Sequence, residues 1–254
     1  MLLVADIGNT QTHLGVYDGK RLACSWRLST RATDTADELL ISLRTLLAHD
    51  LEPLVINAVA VASVVPALSG EWLVAAQKLS GAEPLFLTSE TAVGFLCPYV
   101  SPDEIGADRI ADALAAVEFY GAPVVVVDFG TATNIEIIDK EGALAGGVIA
   151  PGLITSTNAL FDAAARLPRI DIETPPCVIG RSTKSAVQSG LTYGEIDRID
   201  GLVRRIFDEL GYEAPVVATG GLSRRVLNLS STITDVNDNL TLEGLRLAFE
   251  RRAQ

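Results

Sequence analysis

Two unbroken apolar runs, Leu2-Leu-Val-Ala and Val124-Val-Val-Val, each end in an acid, Asp6 and Asp128. Unbroken runs of this length predict strands covered on both faces. After each acid come an apolar residue, a glycine (Gly8 or Gly130), a three-residue polar turn and a second apolar segment closed by Asp18 or Asp139. The chain thus carries one strand–turn–strand unit twice. A third strand ending near Leu28 follows the first copy, and one around Ala143 to Ile149 follows the second. Leu39, Leu40, Leu43, Leu46 and Leu47 recur at helical spacing, with Thr35 or Asp34 placed to cap and Glu38 in the first turn. The pattern next predicts a strand over 54–65, a helix over 72–79, a short strand over 83–87 and a helix over 110–119. In the second half it predicts helices from Gly152 to 165, from Thr183 and over 195–210, then a strand over 214–218. A helix from Ser223 and a terminal helix over 241–252 follow, the last capped by Thr241.

Length and duplication together favour two domains, divided near the helix that starts at Ile110. The charge of −12 argues against a general nucleic-acid or acidic-membrane binder, although a few local groups could still hold an anionic ligand. Residues 53–70 and 142–161 are uncharged, but polar residues, glycines and prolines interrupt both, so no membrane span is expected. Cysteines at 24, 97 and 177 are widely spaced and odd in number, as in a reduced cytoplasmic protein. Only four apolar residues follow Met1 before Asp6, too few for a secretory signal.

An acid at the end of a buried strand must hold a cation or accept several hydrogen bonds. Backbone amides around Gly8–Thr10 and Gly130–Thr131 could cradle phosphate oxygens, with Asp6 and Asp128 holding metal ions or water. Gly106-Ala107-Asp108-Arg109 opens a helix whose N-terminus would keep Asp108 ionised, and Arg109 offers a planar fork for a carboxylate or phosphate. A capping Asp beside a surface Arg fits that tetrapeptide equally well. Thr219-Gly220-Gly221-Leu222 permits close approach of a ring or ribose, or is a plain strand–helix turn. No Walker A sequence and no G-x-G-x-x-G is present.

Taken in order, Asp6-Ile-Gly-Asn-Thr10, Gly106-Ala-Asp-Arg109, Asp128-Phe-Gly-Thr-Ala-Thr133, Gly147-Val-Ile-Ala-Pro-Gly152, Thr219-Gly-Gly221 and Leu240-Thr-Leu-Glu-Gly244 resemble type III pantothenate kinase. The likeness is collinear over nearly the whole chain. It implies an α/β fold of two ribonuclease-H-like (actin-like ATPase) domains with a nucleotide cleft between them, here residues 1–114 and 115–254. It also implies ATP-dependent phosphorylation of pantothenate, the first step to coenzyme A, by a homodimer using Mg²⁺ and K⁺ or NH₄⁺. By position, Asp6, Ile7, Gly8, Asn9, Thr10, Gln11, Thr12, His13 and Thr131 would bind ATP. Asp6 would manage Mg²⁺ through water, and Asp128 would hold the monovalent cation. Tyr99, Gly106, Ala107, Asp108, Arg109 and Thr183 would bind pantothenate, with Asp108 the base and Arg109 on the carboxylate. Asn134 stands where the family pattern has a third threonine. A nucleotide-binding protein without turnover is the other reading, against which the retained Asp6, Asp108, Arg109 and Asp128 speak; a related small-molecule kinase would need a different acceptor pocket.

Overall fold

A computed structural model describes residues 1–50, 55–98, 101–164 and 167–252. It contains β1 (Leu2–Ile7), β2 (Gln11–Asp18), β3 (Arg21–Ser29), α1 (Ala36–Asp50), β4 (Ala58–Ser63), α2 (Pro66–Ser80), β5 (Leu85–Phe86) and α3 (Ala107–Tyr120). Then follow β6 (Val124–Phe129), β7 (Ala132–Ile138), β8 (Leu144–Pro151), α4 (Leu153–Ala163), α5 (Thr183–Leu210), β9 (Val216–Gly220), α6 (Ser223–Val226), β10 (Asp235–Val236) and α7 (Leu240–Arg252). The strands form two sheets of matching order, β3-β2-β1-β4-β5 and β8-β7-β6-β9-β10. In each, the central strand is antiparallel to the next strand and parallel to a later one. Parallel neighbours need a crossover connection, which brings helices against the sheet. Among the described residues no helix is long and apolar enough to cross a membrane.

Packing divides the chain into two units, Met1–Phe119 with Ala143–Ala145 and Asn239–Gln254, and Tyr120–Gly142 with Gly146–Asp238. In the first, Leu3, Ala5 and Ile7 join a core with Leu40, Leu43, Leu68 and Trp72 of α1 and α2. Leu2 and Val4 point to the other face, against Ile110 and Leu114 of α3 and Leu242 and Leu245 of α7. The unbroken apolar run of β1 is therefore required, because alternation serves two cores at once. In the second unit Val125, Val127 and Phe129 pack with Ile196, Ile199 and Val203 of α5.

A single cut after Leu114 would assign α7 to the second sheet, but α7 packs on β1, β2 and β4. Gly244 brings α7 against the backbone of Ala111 in α3, where any side chain would clash with the Ala111 carbonyl. The hydroxyl of Thr241 donates to Asp112 at 2.7 Å. Thr241 is thus inside the first turn of α7 and not its cap; the carbonyl of Asn239 receives the Glu243 amide at 2.9 Å.

The capping expected at Thr35 is present: its amide and hydroxyl reach the Glu38 carboxylate at 2.9 and 2.8 Å. Helix α2 starts at Pro66, earlier than the apolar spacing suggests, with proline in the first turn where it is well tolerated. The two helices expected from Thr183 and over 195–210 are one, α5, of 28 residues. The first half of its buried face carries Gln188, Ser189 and Thr192, so no apolar period marks that half. That face meets the loop over 171–178, whose carbonyls need donors. Gln188 donates to Asp171 O (3.0 Å), Ser189 to Val178 O (2.5 Å) and Tyr193 to Pro175 O (2.8 Å).

Further along α5, Asp200 is buried. It accepts from the hydroxyls of Ser230 (2.5 Å), Ser231 (2.5 Å) and Thr232 (2.8 Å) and from the Ser231 amide (2.8 Å). Burial pushes its carboxyl up, but those donors together hold it down at about 2. A depressed carboxylate contributes stability above its unfolded value, lost as pH falls from about 4 toward 2. Asp200→Asn should therefore cost about 2 kcal/mol at pH 7 in urea unfolding. The gap to wild type should close near pH 2; a gap that does not change with pH would contradict this account.

Candidate active site

The first unit holds two of the segments expected to meet ligand. Strand β1 ends at Asp6 and Ile7, and Ile7 pairs with Thr12, so the hairpin encloses four residues, Gly8 to Gln11. Asn9, Thr10 and Gln11 form its exposed tip. The Gly8 amide donates to the Gln11 carbonyl at 3.0 Å, so it is committed to the turn and not offered to a phosphate. Ile7, Thr12 and His13 point inward and are buried. The Thr12 hydroxyl bonds that of Thr30 at 2.9 Å, and His13 pairs with Asp6 across the strands. Of the eight consecutive positions expected to meet ATP, the tip presents Asn9, Thr10 and Gln11, with Asp6 half-buried behind them. Alternation along β1 places Asp6 on the face that bears Leu2 and Val4, shared with α3 and α7.

Helix α3 begins at Ala107, so Asp108 lies in its first turn. The Arg109 amide donates to Asp108 Oδ1 at 2.8 Å. Gly106 makes room for that carboxylate, since a Cβ there would overlap Asp108 Oδ1 and touch Val64 at 3.4 Å. Val64 follows β4 and donates its amide to the Ile7 carbonyl at 3.1 Å. Val64 thus lies near the Asp108 turn and is bonded to the base of the first hairpin, a nearness the sequence did not mark. Burial raises the Asp108 carboxyl above its ordinary value, and the Arg109 amide and charge, pulling the other way, do not offset it. Desolvation is thus the largest influence on this carboxyl, acting against the donors at the start of the helix. Ala107 and Arg109 are buried. Tyr99 lies outside the described residues.

In the second unit, Phe129 pairs with Thr133, so this hairpin encloses only Gly130, Thr131 and Ala132. It is one residue shorter than the first, although the letters look alike. The Gly130 amide donates to the Ala132 carbonyl at 2.9 Å and is likewise used within the turn. Thr131 is exposed, and its carbonyl accepts from the Gly152 amide (3.0 Å) and the Thr155 hydroxyl (2.6 Å). Asp128 is flanked by Asn134 on β7 and Thr219 on β9. A Cβ on Gly220 would lie 2.5 Å from Asp128 Oδ1, and Gly220 has φ +87, so only glycine suits this place. The Asp128 carboxylate therefore lies close against the backbone of Gly220. Thr183, also in this unit, is exposed at the first position of α5.

Among the described residues no group of three or more His, Cys, Asp or Glu forms a metal cluster. A divalent ion carried on nucleotide phosphates needs only one or two carboxylates.

Two mixed five-stranded sheets of one topology, each with an Asp-x-Gly hairpin on its central strand, define the actin-like ATPase class of fold. The activator of the 2-hydroxyisocaproyl-CoA dehydratase from Clostridium difficile, solved with bound ADPNP, shares this fold. Its TM-score is 0.57 at 14% identity, over 99% of this chain and 95% of that one. The chain belongs to the type III pantothenate kinase family, whose family model matches residues 2–205. A type III pantothenate kinase from Anaeromyxobacter sp. (strain Fw109-5) is 43% identical over 252 residues, 99% of each chain. One from Desulfatibacillum aliphaticivorans is 43% identical over 253 residues, 99% of this chain and 98% of its own.

Proposed function

We propose that the chain transfers the γ-phosphoryl group of ATP to the hydroxyl of pantothenate, giving 4'-phosphopantothenate for coenzyme A synthesis. One observation carries the mechanism: Asp108, a carboxylate with a raised pKa, sits in the same unit as the first hairpin, with Val64 near its turn and bonded to the hairpin's base. The hydroxyl oxygen of the acceptor forms a bond to the γ-phosphorus, the bond from that phosphorus to the bridging oxygen breaks, and ADP leaves. The hydroxyl proton passes to Asp108, a carboxylate whose raised pKa makes it a stronger base than an ordinary aspartate. In the first unit Gly106, Ala107 and Arg109 would hold the acceptor and the hairpin tip would meet phosphate; in the second, Thr131 is assigned to ATP and Thr183 to the acceptor. When bound, Mg²⁺ offsets charge on the phosphates, and Asp6 is the residue to hold it through water. Coupled assay of ATP turnover across a panel of hydroxyl acceptors tests the reading, with pantothenate expected to stand out. Asp108→Asn should lower kcat by roughly 10²–10⁴-fold while ATP still binds. Turnover within a few-fold of wild type would make Asp108 a helix residue only.

Asp128 supports a monovalent cation, K⁺ or NH₄⁺, because a carboxylate beside a phosphate loop repels ATP unless a cation offsets it. Asp128→Asn should remove the salt requirement together with most of the activity. Full activity of the wild-type enzyme in sodium-only buffer would contradict this assignment.

A homodimer is supported by the family resemblance. The apolar α3 does not support it as a motive: Ile110, Ala111, Ala113, Leu114, Ala115 and Ala116 are already buried within the chain, and only Phe119, 49% exposed, is a large apolar group left to solvent on that helix. Light scattering at micromolar concentration should give twice the chain mass, and a monomer would overturn the assignment.

A further inference from the structure

Helix α5 carries an ion pair that the sequence reading passed over. Glu195 and Arg198 are one turn apart, so both reach the same side of the helix. Glu195 Oε2 meets an Arg198 terminal nitrogen at 2.5 Å, and the Glu195 side chain is only 5% exposed. Both residues grip the second hairpin. The Thr133 hydroxyl donates to Glu195 Oε1 at 2.9 Å, and Arg198 donates to the Pro151 carbonyl at 2.9 Å. Thr133 is the residue that closes the loop by pairing with Phe129. Pro151 precedes Gly152, whose amide holds the Thr131 carbonyl at 3.0 Å. Gly152 itself admits no side chain, because the Gly130 and Thr131 carbonyls lie against its Cα. The exposed loop Gly130-Thr131-Ala132 is therefore fixed at its closing pair by Glu195 and at its seat by Arg198.

The pair is poorly arranged for stability alone. The Arg198 Nε is buried with no hydrogen-bond partner among the described residues. Glu195 is buried while the Arg198 side chain is 29% exposed, and taking such a carboxylate out of water offsets much of what the pair contributes. Its geometry serves position: two charged groups, two separate strand ends, one loop between them.

We propose that Glu195 and Arg198 are positioning residues that set the second hairpin loop for nucleotide phosphate, acting through Thr133 and Pro151 without touching substrate. The inference rests on the assignment of Thr131 to ATP made above. The test compares Glu195→Gln, Arg198→Ala and Arg198→Lys with wild type. It reads KM for ATP, KM for pantothenate, and the Kd of a non-hydrolysable ATP analogue by calorimetry, each at a temperature where the variant is folded by circular dichroism. Glu195→Gln and Arg198→Ala should weaken ATP and its analogue about tenfold, equal to about 1.4 kcal/mol. The KM for pantothenate should stay within twofold, and Arg198→Lys should recover part of the ATP affinity by keeping the charge. ATP affinity within twofold of wild type would overturn the proposal, as would equal rises in both KM values. Should Arg198→Ala not fold, Glu195→Gln and Arg198→Lys decide in the same way. If the wild type leaves pantothenate unmodified, the reaction assignment fails, while the analogue Kd values still judge the loop.

Discussion

A central strand that pairs antiparallel on one side and parallel on the other dictates the rest of each sheet. The antiparallel partner is the next segment, so a short hairpin must sit at the strand's C-terminal end. The parallel partner comes later, and its crossover supplies helices that cover the sheet. Inner positions of β1 and β6 must then be apolar on both faces, as Leu2 to Ala5 and Val124 to Val127 are. Only where the strand runs out into the hairpin can a charge be tolerated, and Asp6 and Asp128 stand there. The chemistry is confined to the strand ends by the same burial that stabilises the strands.

Much of this was legible in the sequence because unbroken apolar runs have few other uses. The central strands, both hairpins and the Thr35 cap all follow from local pattern. The first half of α5 was less legible, since its partner is a loop and its buried face is polar: Gln188, Ser189 and Thr192 meet carbonyls there. The docking of α7 was hidden by distance along the chain, although Gly244, which lets α7 approach α3, stands in the Leu240-Thr-Leu-Glu-Gly244 motif. Strand β10, two residues long, leaves no period to detect.

The site was legible in its acids and less so in its loops. Asp6, Asp108 and Asp128 were marked by charge beside apolar runs or a helix start. The hairpins shared letters but not length: Thr12 and Thr133 are the matched pair, both buried, and the first loop holds one residue more. Two glycine amides that sequence reasoning offered to phosphate close their own turns instead. The Glu195–Arg198 pair had a signal, opposite charges three apart on a helix, but that spacing is usual on solvated faces and says nothing of burial.

At Asp108 two local influences oppose each other. A carboxylate in the first turn of a helix is ordinarily stabilised as the anion. Here Gly106 leaves room for the carboxylate, and desolvation raises it above its ordinary value. That competition is the centre of the mechanism, because it makes Asp108 a better proton acceptor than a surface aspartate. Carbon-13 NMR titration of labelled aspartate carboxyls, with the Asp108 signal assigned by its loss in Asp108→Asn, reads the balance directly. The account predicts a midpoint above the ordinary aspartate value of about 3.9; a midpoint at or below that value would mean that the helix N-terminus wins and that burial does not tune the base.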